Sequence, residues 1–363
     1  MHVRARQTKL DDSPRPRVLG TGLVALDLVI NRHTAEQARC YAGGTCGNVL
    51  TILSFLGWDS YPISRLNGEF TSQSVRKDLT RWDVHTDYLS LHPASPVPVI
   101  IERISAGKDG RPTHRYSFAC PICGTRNPGY KAVLATAAAK LLPVIEIPEV
   151  FFFDRVSRAA LLLAGHCREQ GAVVVYEPSG VGEPNLFREA LSLAHVLKYS
   201  VERLGDAIKN YDRDTVLLEI ETQGDAGLRF RSRLPAFKTG GTWESLAPFS
   251  VPDLRDAAGA GDWLTAVLLD RLVRPGYASL IKTTKRKLVG ALRFAQAAAA
   301  WNCGFESPRG GMYASQDIEV FIEQVNAILC GRTRAKIVRK PPRIPHDTLI
   351  NGACLKCRAE SEP

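Results

Sequence analysis

Short, almost wholly apolar runs recur along this chain, separated by longer stretches whose apolar positions follow a helical spacing. Val18 to Ile30 alternates glycine with apolar residues and is predicted as a buried first strand carrying a single acid, Asp27. Behind Gly43-Gly44, the run Val49 to Leu56 has helical spacing, which puts Asn48 in the first turn of a helix. Asp59 to Leu91 reads as strand, helix (Thr71 to Trp82) and strand. Val97 to Ser105 and Thr113 to Phe118 alternate on either side of Gly107-Lys108-Asp109-Gly110, a hairpin signature. Glu149 to Phe153, apolar after its leading Glu, and Ala172 to Tyr176 are short apolar runs that flank the amphipathic stretch Ser157 to Gln170, as parallel strands under a covering helix do. His195 to Lys198 and Thr215 to Ile220 are further strands; the Ala-rich Lys287 to Trp301 is a helix, and Ser315 to Leu329 is a last one, ended by Cys330-Gly331. Strands and helices alternating at this pitch predict an α/β fold with a mostly parallel sheet, and no internal repeat is visible.

The candidate chemistry centres on Asp256-Ala257-Ala258-Gly259-Ala260-Gly261-Asp262, which precedes the apolar run Trp263 to Leu269. Small residues at a helix N-terminus leave backbone N–H groups free to meet an anion such as phosphate. An acid directly behind them can take a proton from an incoming hydroxyl while the amides hold the charge that develops. On its own the stretch is equally compatible with an ordinary loop-to-helix turn capped by Asp.

Asp256 to Asp262 resembles the D-x-x-G-A-G-D of the ribokinase-like carbohydrate kinases, the PfkB family, and Gly43-Gly44-Thr45-Cys46-Gly47-Asn48 resembles their N-terminal G-G-x-x-x-N. Order and separation match that family, and the resemblance runs from about Val18 to about Ile328. It implies a three-layer α/β/α sandwich with a small β lid, and transfer of the γ-phosphoryl of ATP, with Mg²⁺, to a hydroxyl of a sugar or nucleoside. Asp262 is then the general base, and the amides of Gly259, Ala260 and Gly261 form the anion hole. By the same resemblance Asp27, Gly43, Gly44 and Asn48 hold the acceptor; a strand-closing turn is the other reading of Asp27. Thr222-Gln223-Gly224-Asp225-Ala226-Gly227 resembles the family's T-x-G-x-x-G and puts Thr222, Gly224 and Gly227 beside the nucleotide. Glu202 fits the acid of N-x-x-E that organises magnesium through water, with Tyr199 standing where the family has Asn; a solvent-facing helix Glu is the alternative. Asn67-Gly68-Glu69 replaces the usual G-D-D, and Trp263-Leu264 replaces the small-aromatic pair behind the catalytic Asp, where it would crowd the pocket floor. The hairpin over about 97–118 corresponds to the lid, which would exclude water.

The chain has 363 residues, 45% hydrophobic and 23% charged, enough for a sizeable core. No apolar run reaches the roughly 20 residues that span a bilayer, and Met1 to Arg17 lacks the apolar segment of a secretion signal, so a cytoplasmic protein without a membrane is expected. The net charge of +10 suits polyanions: nucleotides, phosphorylated substrates and, less strongly, nucleic acid. Much of it is terminal, which divides the chain into a disordered basic arm (1–17), a kinase domain (18–330) and a basic tail (331–363). The oligomeric state is left open, a homodimer among the alternatives.

Nine cysteines without a secretory signal argue against a disulfide framework. Four of them form two pairs, Cys120-Pro121-Ile122-Cys123-Gly124 within an insertion at about 119–129, and Cys354-Leu355-Lys356-Cys357 in the tail. Cys120, Cys123, Cys354 and Cys357 together make the tetrahedral thiolate set that structural Zn²⁺ prefers. Inert thiols and a redox pair are the other readings. A rival to the kinase is a non-catalytic protein that keeps the kinase fold and uses the zinc site and basic tails on nucleic acid or a partner protein.

Overall fold

The computed structural model describes residues 14–31, 37–107, 112–237, 241–251, 253–332, 344–345, 354 and 356–357. Its framework is a nine-stranded sheet. Seven strands are parallel: β1 (Arg17–Thr21), β4 (Asp59–Leu66), β5 (Leu89–Leu91), β8 (Val150–Phe153), β9 (Val173–Tyr176), β10 (Val196–Ser200) and β11 (Leu218–Thr222). The antiparallel β12 (Leu228–Ser232) and β13 (Glu244–Leu246) complete one edge, giving the order β13-β12-β11-β10-β9-β8-β1-β4-β5.

Alternation along each central strand divides the interior into two cores. Val150, Phe152, Val173 and Val175 face one of them, with Trp263, Leu292 and Trp301 from the helices α7 (Ala260–Val273) and α9 (Lys285–Asn302). Phe151, Phe153, Val174 and Tyr176 face the other, with Leu163 of α4 (Arg158–Glu169) and Phe187 of α5 (Pro184–Leu193). Helices thus cover both faces, and α1 (Thr45–Phe55) packs beside α7 on the first. Among the described residues no helix is long and apolar enough to cross a membrane.

The expected single strand from Val18 to Ile30 is two strands in different sheets. After β1 the backbone turns at Gly22, whose φ is 149°, and β2 (Ala25–Asn31) leaves the main sheet. It joins a five-stranded sheet, β14-β3-β2-β6-β7, with β3 (Gln37–Gly43), β6 (Val99–Ala106), β7 (Pro112–Ser117) and the two-residue β14 (Ile344–Pro345). The hairpin of β6 and β7 lies where the alternation put it, with Glu102 opposite Tyr116 and Ile104 opposite His114. Lys108, Asp109 and Gly110 of its turn lie outside the described residues, as do residues 1–13 of the basic arm; Arg17 belongs to β1 rather than to that arm. The expected last helix is broken: α10 (Gly310–Ser315) ends at Gln316 with φ 54°, and Asp317 then caps α11 (Ile318–Leu329) through the amides of Glu319 and Val320.

Candidate active site at the paired helix N-termini

α1 and α7 begin alike, from a glycine whose left-handed backbone turns the chain into the helix. Gly44 has φ 76° and Gly259 has φ 75°. A Cβ on Gly259 would overlap the carbonyl of Pro308, and one on Gly43 would overlap the Asp27 carboxyl, so both positions need glycine. The packing of the two helices brings Asn48 to Asp262, 214 positions apart, where Asn48 Nδ2 donates to Asp262 Oδ2 over 2.7 Å. The two motifs therefore meet in one place.

Asp262 is half-buried on the first turn of α7. Loss of surrounding water, reinforced by the Glu177 carboxylate, pushes its pKa up to about 8 against the opposing pull of Asn48, Lys198 and Arg203. Lys198 is buried, ion-paired with Glu177, and its ammonium stands close under the first turn of α7: a Cβ on Gly261 would lie 3.4 Å from Lys198 Nζ. Glu177 also accepts from Thr265 Oγ1 over 2.6 Å, which fixes this buried pair beneath α7. Sequence reading did not single out Lys198 or Glu177; the only signal was that Glu177 directly follows a parallel strand, at the end where α/β sheets place ligands, whereas Lys198 lies within β10.

Asp27 is on β2, in the small sheet, rather than just past the first strand of the large one. It is 6% exposed, its Oδ1 lacks a hydrogen-bond partner among the described residues, and burial raises its pKa to about 7 against Arg309 and the Gly44 amide. Arg309 was not anticipated. It is 1% exposed, donates through Nε to Asn48 Oδ1 over 3.0 Å, and pairs with Asp78 of α2 (Phe70–Arg81) at 2.9 Å. Asp78 further accepts from the Ala42 amide and the Tyr313 hydroxyl, so this acid locks together β3, α2 and α10. A lone Arg in a glycine-rich segment, Pro308-Arg309-Gly310-Gly311, carries no periodic signal that would reveal this role.

On the other side of α7, Thr222 ends β11 and Gly224 (φ 59°) and Gly227 (φ 96°) shape the turn that follows. Thr222 Oγ1 donates to the Tyr199 carbonyl over 3.3 Å. Glu202, exposed on α6 (Val201–Leu204), reaches this turn, since a Cβ on Gly224 would lie 3.7 Å from its Oε1. Tyr199 itself points into the sheet, its hydroxyl donating to Glu219 over 2.9 Å. Asn67 is buried and accepts from the Glu69 amide and Ser72 Oγ, so its side chain is used within the loop that leads into α2. Trp263, expected at the pocket floor, instead lies in the core against Trp301 and Phe321, its Nε1 donating to Pro308 O over 3.1 Å. Successive helix residues are rotated by about 100° about the axis, which is what turns Trp263 from the side of α7 that carries Asp262 into the core.

The cysteine pairs also meet. Cys120 Sγ lies 3.8 Å from Cys357 Sγ, Cys123 Sγ lies 3.5 Å from Cys354 Sγ, and all four sulfurs fall within 4.8 Å of one another. Four sulfurs at about 2.3 Å from one Zn²⁺ would stand about 3.8 Å apart, so the set fits that ion. The first pair has knuckle geometry: Gly124 (φ 72°) donates its amide to Cys120 O over 3.0 Å, and the Ile122 and Cys123 amides point at the Cys120 sulfur.

Solved structures of similar shape exist. Fructokinase from Xylella fastidiosa with bound ATP is 16% identical, with 87% of this chain and 98% of that one covered and a TM-score of 0.62. Aminoimidazole riboside kinase from Salmonella enterica, complexed with aminoimidazole riboside and an ATP analog, is 19% identical, covering 86% and 99%, also at 0.62. A Methanocaldococcus jannaschii nucleoside kinase, an archaeal member of the ribokinase family, is 16% identical, covering 82% and 95%, at 0.57. The chain has the ribokinase-like fold. No family profile matches the sequence, and no curated protein matches it.

Proposed function

We propose that this protein is a kinase of the PfkB type that transfers the γ-phosphoryl of ATP to a hydroxyl of a sugar or nucleoside. The observation that carries the reading is the Asn48–Asp262 hydrogen bond, which unites two separate glycine motifs at two helix N-termini. In this reading Asp262 accepts the hydroxyl proton, and the amides of Gly259, Ala260 and Gly261, with Lys198 beneath them, hold the charge that develops on the transferred group. Asp27, Gly43, Gly44 and Asn48, braced by Arg309, orient the acceptor. Thr222, Gly224 and Gly227 line the nucleotide side, and the exposed Glu202 carboxylate beside Gly224 suits an outer-shell partner of Mg²⁺. The metal, when bound, neutralises phosphate charge; positioning and electrostatics do the rest.

Cys120, Cys123, Cys354 and Cys357 hold a structural Zn²⁺ in this reading, since four thiolates leave no open position for chemistry. A kinase domain over about 18–330 with the tail clamped to it, working in a reducing cytoplasm, is the arrangement that follows. The test is ADP release with ATP, Mg²⁺ and a panel of sugars and nucleosides. Release that depends on one class of acceptor and disappears in Asp262→Asn supports the kinase. Nucleotide-independent behaviour, with no ADP formed for any acceptor, would leave a kinase-fold binding protein.

A further inference from the structure

On the lid face that carries Asp27, a second group of side chains has no part in the proposed transfer. Glu102 of β6 is 1% exposed, and among the described residues neither of its carboxylate oxygens accepts from an N–H or a hydroxyl; its hydrogen-bonding neighbour is the Asp256 carboxyl. It faces the carboxyl of Asp256, the first residue of the anion-hole segment, which is 2% exposed and held rigidly by the Ala258 and Ser307 amides, each at 2.9 Å. His114 of β7 completes the group, its Nδ1 3.5 Å from Asp256 Oδ1, and one ligand atom from each of the three lies within 4.8 Å of the others.

Two buried carboxyls facing each other are unfavourable when both are charged, and burial beside Asp256 pushes Glu102 well above the usual carboxylate range. Among the described residues no lysine or arginine pairs with these two carboxyls; an imidazole does join them, and an imidazole nitrogen with two carboxylates is a donor set for divalent transition metals. Two ligand atoms about 2.1 Å from one ion in tetrahedral arrangement stand about 3.4 Å apart, close to the His114–Asp256 separation.

We propose that Glu102, His114 and Asp256 form a divalent metal site of the Mn²⁺ or Zn²⁺ class that joins both strands of the lid hairpin to the loop preceding α7. It is separate from the cysteine site and from any metal that accompanies a nucleotide. His114 is partly exposed, with 30% of its side chain accessible, and supplies the entry path that the two buried acids lack. Three protein ligands leave a fourth position for water, as in sites that exchange their metal. The ion ties the lid to the anion-hole loop, so that binding it orders the lid without nucleotide or acceptor.

The experiment is a Mn²⁺ titration of the full chain in the absence of nucleotide, followed by electron paramagnetic resonance. Mn²⁺ discriminates against the thiolate site, and omitting nucleotide removes the phosphate-bound metal. One saturable Mn²⁺ per chain is expected, weakened at least tenfold in Glu102→Gln and in His114→Ala, and unchanged in Glu202→Gln. Thermal melting provides the second readout: Mn²⁺ should raise the melting temperature of the wild type and leave Glu102→Gln unmoved. In chelator Glu102→Gln should melt above the wild type, because it removes one of two facing acids. Absence of saturable binding, or binding equal in wild type, Glu102→Gln and His114→Ala, overturns the site and leaves a pair of carboxyls sharing a proton. Since neither readout involves turnover, failure here is distinct from failure of the kinase reading.

Discussion

Asp262 is held in a state that suits chemistry better than stability. Its pKa of about 8 means that a growing fraction becomes the proton-accepting carboxylate as pH rises, so kcat/KM should climb with pH and level off above about 8. Asp262→Asn should keep ATP affinity and lower turnover by about 10²–10⁴, the range of a lost general base; turnover within about threefold of wild type would remove Asp262 from that role. The same raised pKa has an opposite effect on folding. An acid protonated in the native state and ionised when unfolded costs stability increasingly as pH rises from its unfolded value near 4 to its folded value. The gain in melting temperature of Asp262→Asn over wild type should therefore be small at pH 4 and largest above pH 8; a pH-independent difference would contradict an acid whose pKa is raised in the folded state. Asn48→Ala strips a partner from both Asp262 and Arg309 and should weaken acceptor binding more than ATP binding. The cost is about 0.5–1.5 kcal/mol for the hydrogen bond and more for the partners left unpaired. Equal loss of both affinities, measured by calorimetry, would break this division of the site. At this scale the motifs were readable, because glycine spacing is a local property. Lys198, Glu177, Asp78 and Arg309 were not, because their roles come from neighbours distant in the chain.

The element on which the site depends is α7, and its first residue is set by Gly259. Gly259→Ala would place a side chain at φ 75° and against the Pro308 carbonyl. It should destabilise by about 1–3 kcal/mol, the cost of a strained backbone conformation, and reduce turnover as the amides shift. An unchanged melting temperature would mean that the loop adapts freely. Strand and helix assignments through β8, α4 and β9 followed from the sequence because fully apolar four-residue runs beside an amphipathic stretch admit few arrangements. The split of Val18 to Ile30 into β1 and β2 did not, since both halves are apolar and a change of sheet leaves the alternation intact. β3 was missed for a related reason: Gln37-Ala38-Arg39-Cys40 lacks an apolar pattern and is a strand because β2 and β14 flank it.

Across the whole molecule, the described residues of the C-terminal segment touch the second sheet and the knuckle that follows it. Ile344–Pro345 pairs with β3 at one edge, and Cys354 and Cys357 meet the knuckle that follows β7 at the other. Purified protein should contain about one zinc per chain at this site, and Cys354→Ser or chelation should release the tail, seen as faster proteolysis after residue 330. Zinc retained in full after replacement of both Cys354 and Cys357 would remove the shared site. The sequence by itself determined the α/β class, the parallel strands, the glycine turns at both helix starts and the two thiol pairs. Each depends on periodicity or on residues within a few positions of one another. Only the tertiary structure decided that Asp27 stands in the second sheet, that Trp263 packs inward, that Arg309 braces Asn48, and that Glu102, His114 and Asp256 face one another. Those facts depend on which surfaces are buried together, and burial between segments separated in the chain leaves no trace in local pattern.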